Sequence, residues 1–372
     1  AARRLLAAFG SPQAVFAQSE AALRQVVTAK QALALLTDPN ELAVQCVRTQ
    51  QWLAHQPDTH GHAVWTLGDP HYPAALLQLP DPPLMVYAQG QLEATLGPAV
   101  AIVGSRNPTP QGRQTAIQFG RALAEVGICV VSGMALGIDG AAHQGALQYA
   151  SPQSAKSLTA KTSGSGISSS YWTTVGVVGT GLDQVYPRHH QALAHEVIAH
   201  GVLMSEYPLG TPPLAANFPQ RNRLIAALGL GTLVVEAAMR SGSLITARMA
   251  LDMGREVMAV PGSIHAMQSH GCHWLIRQGA KLVENVQDIL EELQLPIYTE
   301  GGNNPTSNGS QPNTSPRPVL DQMGFTPISL DALQMHCKLE TSVLQSELLS
   351  LELDGCVARL PGGMFQRLGP AS

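Results

Sequence analysis

The chain has 372 residues and lacks any long hydrophobic run, although 45% of its residues are hydrophobic. No stretch approaches the roughly 20 consecutive apolar residues that a membrane-spanning helix requires. The first residues, Ala1 to Leu5, also lack the apolar segment and cleavage site of a signal peptide, and we interpret them as the start of a helix. Together these absences predict a cytoplasmic protein with no membrane span.

Cysteine is scarce and is not arranged in pairs. An odd number of cysteines with no Cys-x-x-Cys spacing fits reduced thiols in a reducing compartment better than a disulfide framework. A chain of this length builds a core large enough to need no disulfides, and it exceeds the usual span of one domain. The five cysteines are Cys46, Cys129, Cys272, Cys337 and Cys356.

Positive charge is not in excess, because 22 Lys and Arg residues are set against 26 Asp and Glu residues. The resulting net charge of −4 means that a contact with nucleic acid has to be made by a local basic surface. Two nucleotide-binding fingerprints are also missing, G-x-G-x-x-G with an acidic residue about 20 positions later and G-x-x-x-x-G-K-[ST]. Their absence weighs against dinucleotide redox chemistry and against P-loop ATP hydrolysis.

The first two regions differ in their periodicity. Residues 1–60 contain short Ala- and Leu-rich helical runs and predict a small all-helical domain. Residues 61–298 begin with a proline-punctuated extended segment and then alternate apolar strands with amphipathic helices from Val100 onward. This alternation predicts an α/β core whose parallel sheet is covered on both faces, with its ligand at the carboxyl ends of the strands.

Two segments of low complexity interrupt the chain. Residues 151–171 are rich in Ser, Thr and Gly and predict a mobile insertion between a helix and the next strand. Residues 299–318 are rich in Asn, Ser, Pro and Gly and predict a disordered linker.

The last region, residues 319–372, shows the order of a winged-helix domain. Helices are predicted over Ser329 to Cys337 and Glu340 to Leu353, followed by a hairpin that turns at Pro361-Gly362-Gly363. The second helix would be the recognition helix, yet it carries three glutamates and neither lysine nor arginine. We therefore predict a protein-contact or autoregulatory role for this unit instead of duplex reading.

Glycine and serine follow two successive strands at the points where they end. Gly104, Ser105 and Arg106 follow the first strand, and Ser132 and Gly133 end the second. Backbone amides, hydroxyls and a guanidinium at one sheet edge predict an anion site. The alternative, about equally favoured for a single glycine, is that the turn only requires a positive φ.

A second strong feature combines an aromatic ring with cations at the start of a helix, at Phe218, Arg221, Asn222 and Arg223. Arginine forks suit phosphate oxygens, and a phenyl face suits an unstacked base. Residues 217–255 carry a net charge of +3 inside an acidic protein. In the alternative interpretation, arginines such as Arg223 form internal ion pairs with Glu236 or Asp252.

Ser241 and Gly242 repeat the pattern at a later strand end, and we include them in the predicted binding surface. Capping of the following helix by Ser241 or Ser243 explains the same residues without any function.

Other titratable residues give weaker signals. Asp139 and His143, spaced i, i+4, suggest an acid/base pair, but we favour helix capping for Asp139. Asp183 with His189 and His190 is similarly interpreted as a loop in which the aspartate bonds to backbone. The cluster His265, His270, Cys272 and His273 matches no usual zinc spacing, and we predict no metal site there.

The motifs together closely resemble the DNA-processing protein A family (DprA, also called Smf), in matching order over roughly residues 65 to 290. The resemblance is carried by Val103-Gly104-Ser105-Arg106, Val131-Ser132-Gly133-Met134-Ala135-Leu136-Gly137-Ile138-Asp139 with Ala142-His143, Gly179-Thr180-Gly181-Leu182-Asp183 with Tyr186-Pro187, Ser205-Glu206-Tyr207-Pro208, Phe218-Pro219-Gln220-Arg221-Asn222-Arg223, Val234-Val235-Glu236-Ala237, Ser241-Gly242-Ser243-Leu244-Ile245-Thr246-Ala247 and Val260-Pro261-Gly262.

The resemblance implies an extended Rossmann-like core that binds single-stranded DNA, forms homodimers and helps to load the RecA recombinase during natural transformation, without catalysis, cofactor or metal. The flanking units resemble the family's optional domains, a helical domain of the SAM or helix-hairpin-helix type and a winged helix. By the same resemblance Arg106 and the segment Phe218 to Arg223 line the DNA groove, and Gly104, Ser105, Ser132 and Gly133 contact phosphate. The insertion at 151–171 and His273, where asparagine is commoner, depart from the family pattern.

Three functions remain open at this point. A single-strand binder without catalysis is favoured, with sequence-tolerant contacts to phosphate and stacked bases. The second is a nucleotide-binding or nucleotide-hydrolysing enzyme, in which Asp139 or Glu236 would be the base. The third is a scaffold that bridges other proteins.

Overall fold

The computed structural model describes residues 1–37, 39, 41–55, 60–149, 171–295, 318–325, 327–337 and 339–368. Of the predicted insertion only Tyr171 belongs to these ranges, and of the predicted linker only Pro318. The remainder of both segments lies outside the described residues. No helix within those ranges is both long enough and apolar enough to cross a lipid bilayer.

The N-terminal region folds into short helices, as predicted. Ser11, Ser19 and Thr28 begin three of them, and each side-chain oxygen accepts a hydrogen bond from a backbone N–H in the first turn. A small core joins the first four helices through side chains such as Leu5 and Leu23. The helices are α1 (Ala2–Phe9), α2 (Pro12–Phe16), α3 (Glu20–Arg24), α4 (Ala29–Leu36) and α5 (Leu42–Ala54).

A nine-stranded sheet forms the centre of the molecule, in the order β1-β2-β6-β5-β4-β3-β7-β8-β9. The seven strands from β6 to β9 in this order are mutually parallel. At one edge, β2 pairs antiparallel with β6, and β1 pairs antiparallel with β2. The predicted parallel sheet is therefore confirmed. The strands are β1 (Gly61–Thr66), β2 (Met85–Gly90), β3 (Ala99–Val103), β4 (Cys129–Gly133), β5 (Thr174–Val177), β6 (Val202–Ser205), β7 (Gly231–Val234), β8 (Glu256–Ala259) and β9 (Lys281–Leu282).

Helices cover both faces of this sheet. Successive residues of β3 point to opposite sides, with Val100 and Ile102 in one hydrophobic cluster and Ala101 and Val103 in the other. Strands buried on both faces explain why the sequence shows continuous apolar runs instead of alternation. The helices are α6 (Pro110–Glu125), α7 (Ile138–Tyr149), α8 (Gln191–His200), α9 (Asn217–Leu228), α10 (Gly242–Asp252), α11 (His270–Arg277) and α12 (Val286–Glu292).

Glycines let α6 and α7 approach each other closely on one of those faces. A Cβ added to Gly145 of α7 would overlap the carbonyl of Ile117, and a Cβ on Gly120 of α6 would overlap the carbonyl of Ala142. We expect Gly145→Ala to lower the free energy of unfolding by about 1–3 kcal/mol, because backbone atoms must separate.

Chemical denaturation measures this change. The matched control is Gly242→Ala, since a Cβ there meets nothing within 4 Å and should change stability by less than about 0.5 kcal/mol. Equal effects of the two substitutions would contradict close helix packing at Gly145.

The C-terminal region is a winged helix, as predicted. Its strands form a small antiparallel sheet in the order β10-β12-β11, and Leu333, Leu344, Leu348 and Phe365 are part of its core. The first helix and the two-residue strand β10 were not predicted. The elements are α13 (Pro318–Gln322), β10 (Ile328–Ser329), α14 (Leu330–Cys337), α15 (Thr341–Leu353), β11 (Val357–Leu360) and β12 (Met364–Arg367).

Candidate nucleic-acid interface

The loops that follow β3, β4 and β5 meet at the carboxyl end of the sheet, because these strands are parallel neighbours. They are joined there by the start of α9, and the four segments enclose an open pocket. Its position at the carboxyl ends of the strands agrees with the ligand position expected for such sheets. The pocket is lined by Arg106, Met134, Ala135, Leu136, Val178, Gly179, Thr180, Tyr186, Pro187, Phe218 and Arg221.

A cation and two aromatic rings lie together in this pocket. Arg106 is exposed, and its guanidinium carbon lies 5.7 Å from the centroid of the Phe218 ring. The Tyr186 ring is 5.5 Å from that of Phe218, and 46% of the Tyr186 residue is accessible to solvent. The sequence thus correctly placed Arg106 and Phe218 at one site, and the arrangement offers a positive charge beside two stacking surfaces.

Arg221 lies deeper in the pocket and is only 3% exposed. Its Nη1 donates a hydrogen bond of 2.9 Å to the carbonyl of Val177, at the end of β5. The guanidinium also passes directly beside Gly133, where an added Cβ would overlap Nη1. Burial lowers the pKa of Arg221, and the nearby Asp139 carboxylate opposes that shift.

The two strand-end glycines are required for close packing and not for backbone conformation, since neither has a positive φ. Gly133 leaves space for Arg221, and a Cβ on Gly104 would lie 2.6 Å from Cγ1 of Ile138. The positive-φ alternative therefore does not describe these positions.

The Ser132 hydroxyl and the Ser105 amide, two of the predicted donors at the strand ends, are engaged within the protein. Ser132 is fully buried, and its hydroxyl donates to the Ile102 carbonyl at 2.5 Å. The Ser105 amide donates to the Glu236 carbonyl at 2.7 Å, and the Ser105 hydroxyl accepts from the Asn107 amide at 3.1 Å. The Ser132 bond does not favour its expected phosphate contact, whereas a contact from the Ser105 hydroxyl stays a prediction because that hydroxyl only accepts. Arg106 faces solvent.

The remaining residues of the predicted α9 cluster differ in their surroundings. Arg223 forms an ion pair with Glu206, and both side chains are mostly buried. The internal pairing considered for Arg223 therefore exists, but with a different partner from Glu236 or Asp252. Asn222, between the two arginines, is half-buried.

Ser241 and Gly242 do not line the pocket. Ser241 begins α10, where its Oγ accepts from the Ser243 amide at 3.3 Å and lies 2.6 Å from the Ser243 hydroxyl. The capping interpretation describes these contacts, and a DNA contact at Ser241 or Gly242 stays a prediction.

Asp139 and His143 do not form an acid/base pair. His143 is fully buried, with Nδ1 2.7 Å from the Thr174 hydroxyl and Nε2 3.1 Å from the Gly133 carbonyl, and burial lowers its pKa to about 4. Asp139 accepts hydrogen bonds from the Gly133 and Ala135 amides, and burial raises its pKa to about 7 against the opposing effect of nearby arginines. His143 is therefore a neutral core residue. Asp139 does not cap α7 as predicted, because both amides precede the helix; it joins the loop after β4 to the first turn of α7.

Glu236 occupies the place where a nucleotide phosphate would be expected in this fold. The strand order reverses between β3 and β7, and the N-terminus of α6 lies at that switch point. The Glu236 carboxylate accepts from the Thr109 amide at 2.9 Å and from its hydroxyl at 2.6 Å, and burial raises the Glu236 pKa. Because the protein supplies its own anion there, a mononucleotide is disfavoured at this helix end.

The other histidine clusters bond to backbone. His270 and His273 contact the carbonyls of Ile264 and Gly262 through Nε2, at 3.1 and 2.9 Å. Asp183 accepts from the Gly210 amide at 2.7 Å, as the loop interpretation predicted. Within the described ranges, no group of three or more His, Cys, Asp or Glu side chains is arranged to hold a metal ion.

The sequence reasoning missed the contribution of the loop after β5, above all Tyr186. The signal was present, because the glycine-containing motif Gly179 to Asp183 follows a predicted strand and Tyr186 follows it closely. Extending the anion-site argument from two strand ends to three would have included this ring.

Comparisons with known proteins identify the family. The family model for DNA recombination-mediator protein A matches residues 63–294, and the model for the DprA winged helix domain matches residues 304–363. Protein Smf of Escherichia coli is 40% identical over 297 residues, covering 78% of this chain and 74% of that protein. DNA processing protein DprA of Streptococcus pneumoniae is 41% identical over 226 residues, or 61% of this chain and 72% of the relative.

Solved structures agree with the sequence matches. The X-ray structure of DprA from Streptococcus pneumoniae superposes with a TM-score of 0.62 at 32% identity, covering 78% of this chain and 92% of that chain. DNA processing protein A from Helicobacter pylori, whose structure concerns its single-stranded DNA binding mode, gives a TM-score of 0.52 at 28% identity, with 63% and 95% covered. With its Rossmann-like sheet, its winged helix and these matches, the chain belongs to the DNA recombination-mediator protein A family.

Proposed function

We propose that this protein binds single-stranded DNA in the pocket between Arg106, Tyr186 and Phe218, as part of DNA processing during transformation and without catalysis. One observation carries the proposal, the Arg106 guanidinium lying over the Phe218 ring at 5.7 Å beside an exposed Tyr186. The single-strand binding mode described for the Helicobacter pylori relative supports it.

The physical reason is that a single strand offers phosphates and unstacked bases side by side. Arg106 has the planar fork that suits phosphate oxygens, and an aromatic face accepts any base with little preference. Contacts of this kind are tolerant of sequence and weaken as salt rises, because counterions are released on binding.

Fluorescence anisotropy with labelled oligonucleotides over a salt series tests the proposal. We expect binding of single strands of differing sequence with similar affinity, weaker binding to a duplex of the same length, and a decline of affinity with salt. No binding at low salt, or an affinity that does not change with salt concentration, would refute the proposal. Tight binding or hydrolysis of a mononucleotide would favour the enzyme alternative.

The wider roles implied by the family are also proposed for this chain, namely passing the strand to RecA and working in a reducing cytoplasm. Family membership supports the first, and the odd number of cysteines without Cys-x-x-Cys spacing supports the second. RecA filament growth on single strands, followed with and without this protein, tests the RecA partnership. Unchanged growth would contradict it.

A homodimer is supported by an exposed apolar surface formed by Ile264, Met267 and Trp274, which are 73%, 73% and 40% exposed. Met267 lies on the 3-10 turn that leads into α11 and Trp274 lies on α11, and His270 between them contacts the Ile264 carbonyl at 3.1 Å. Contiguous apolar surfaces of this kind mark association sites.

We expect light scattering to give the mass of two chains for the unchanged protein and of one chain for Met267→Glu, because a buried charge opposes association. An exposed leucine elsewhere supplies the control, Leu349→Glu in α15, which should leave the dimer intact. A single-chain mass for the unchanged protein at micromolar concentration would contradict the homodimer.

A further inference from the structure

Asp139 lies directly beneath the DNA pocket and is only 8% exposed. Its carboxylate accepts hydrogen bonds from the amides of Gly133 and Ala135, and Ala135 belongs to the pocket wall. Arg221 reaches the same point from α9. A Cβ placed on Gly133 would overlap Nη1 of Arg221 and lie 2.5 Å from Oδ2 of Asp139, so the two side chains meet across this glycine.

Two positive charges face Asp139 from other elements, Arg221 on α9 and Arg106 on the loop after β3, and both oppose its protonation. Two histidines are also near. His143, on the same helix, is kept neutral by burial, and the ring of His190, before α8, lies against Gly140 with Nδ1 3.0 Å from the Met134 carbonyl.

The carboxylate therefore opposes anion binding as long as it is ionised. A negative charge beside Arg221 and Arg106 cancels part of the potential that would attract a phosphate. Burial raises the pKa of Asp139 to about 7, so that both protonation states are populated near neutral pH. A phosphate in the pocket disfavours the ionised state further, which links DNA binding to proton uptake.

We propose that Asp139 is a proton-linked positioning residue for DNA binding, which takes up a proton as the strand enters and thereby removes the negative charge that offsets Arg221 and Arg106. The inference rests on the proposed function and adds a regulator to it. The protonated carboxyl keeps its oxygen as an acceptor for the loop amides, so the pocket wall stays in place while the charge changes.

The experiment measures the affinity for a labelled oligothymidine between pH 6 and pH 8 at constant ionic strength. We expect the unchanged protein to bind roughly fivefold more tightly at pH 6 than at pH 8, because one opposing charge is removed close to the phosphate. Asp139→Asn imitates the protonated acid and should bind at pH 8 as the unchanged protein does at pH 6, with little remaining dependence on pH.

His190→Gln is the matched control, because His190 lies against the helix that carries Asp139 and contacts the carbonyl of the pocket residue Met134. The control should keep the pH dependence. The proposal would be overturned if the affinity of His190→Gln no longer depended on pH while that of Asp139→Asn still did. Melting curves at both pH values establish that each variant is folded.

Calorimetry in buffers of different ionisation enthalpy gives a second measurement that needs no Asp139 variant. The unchanged protein and His190→Gln should both take up a fraction of a proton per bound strand near pH 7.5, and no uptake in either would overturn the proposal even if Asp139→Asn fails to fold. The absence of DNA binding at every pH would instead refute the proposed function, so the two failures are distinguishable.

Discussion

Replacing Arg106 with alanine is expected to weaken single-stranded DNA binding by about 10- to 100-fold, the range for a lost charge-assisted contact. The guanidinium is exposed and supported by the Phe218 ring, so its removal takes away the accessible charge without disturbing buried packing. The loss should be similar for all sequences, because phosphate carries no sequence information. Anisotropy titrations at several salt concentrations should also show that the slope of log affinity against log salt concentration becomes less steep by about one unit.

Arg121→Ala is the matched control for this prediction. It removes one positive charge from α6, the helix that follows the Arg106 loop, but its guanidinium pairs with Glu125 at 2.7 Å near the C-terminal end, more than two turns from the pocket. An equal loss of affinity in both variants would show that binding follows net charge and not the Arg106 site.

Phe218→Ala is expected to weaken binding by about 5- to 150-fold, which corresponds to the 1–3 kcal/mol that one stacked base contributes. The substitution removes a stacking face and also the ring that supports the Arg106 guanidinium. Phe218→Trp retains a ring at the same place and should keep most of the affinity. Equilibrium titration of the variants against one oligonucleotide measures these differences.

The control for the aromatic ring is Phe16→Ala, because Phe16 is 62% exposed on α2 of the N-terminal helical region. This variant should bind like the unchanged protein. If Phe218→Ala bound with full affinity, the strand could not stack on that ring. Because Arg106 and Phe218 are in contact, the double substitution should cost less than the sum of the single losses.

The sheet and the Arg106–Phe218 pairing were predictable from local patterns. Apolar strands alternating with helices lead to a parallel sheet, and parallel strands carry their following loops to one edge. That reasoning brings together residues 112 positions apart without knowledge of any contact. It missed the loop that holds Tyr186, which was not counted with the others, and it included Ser241 and Gly242, which do not line the pocket.

The partners of buried polar residues were not predictable in the same way. The sequence shows arginines at 221 and 223. Only tertiary packing places Arg221 beside Gly133 and pairs Arg223 with Glu206. Likewise, Ser132 has the residue type of a phosphate ligand, yet its hydroxyl is turned toward the Ile102 carbonyl. Side-chain direction at the end of a strand depends on neighbouring strands that are distant in sequence.

Photocrosslinking of a single strand that contains 5-iodouracil, followed by mass spectrometry of the peptides, tests the location of the DNA most directly. Halogenated uracil reacts with aromatic rings on which it stacks, and we expect adducts at Phe218 or Tyr186 that decrease in Arg106→Ala. Adducts confined to the winged helix or the N-terminal helices, with none at either ring, would contradict DNA binding in this pocket.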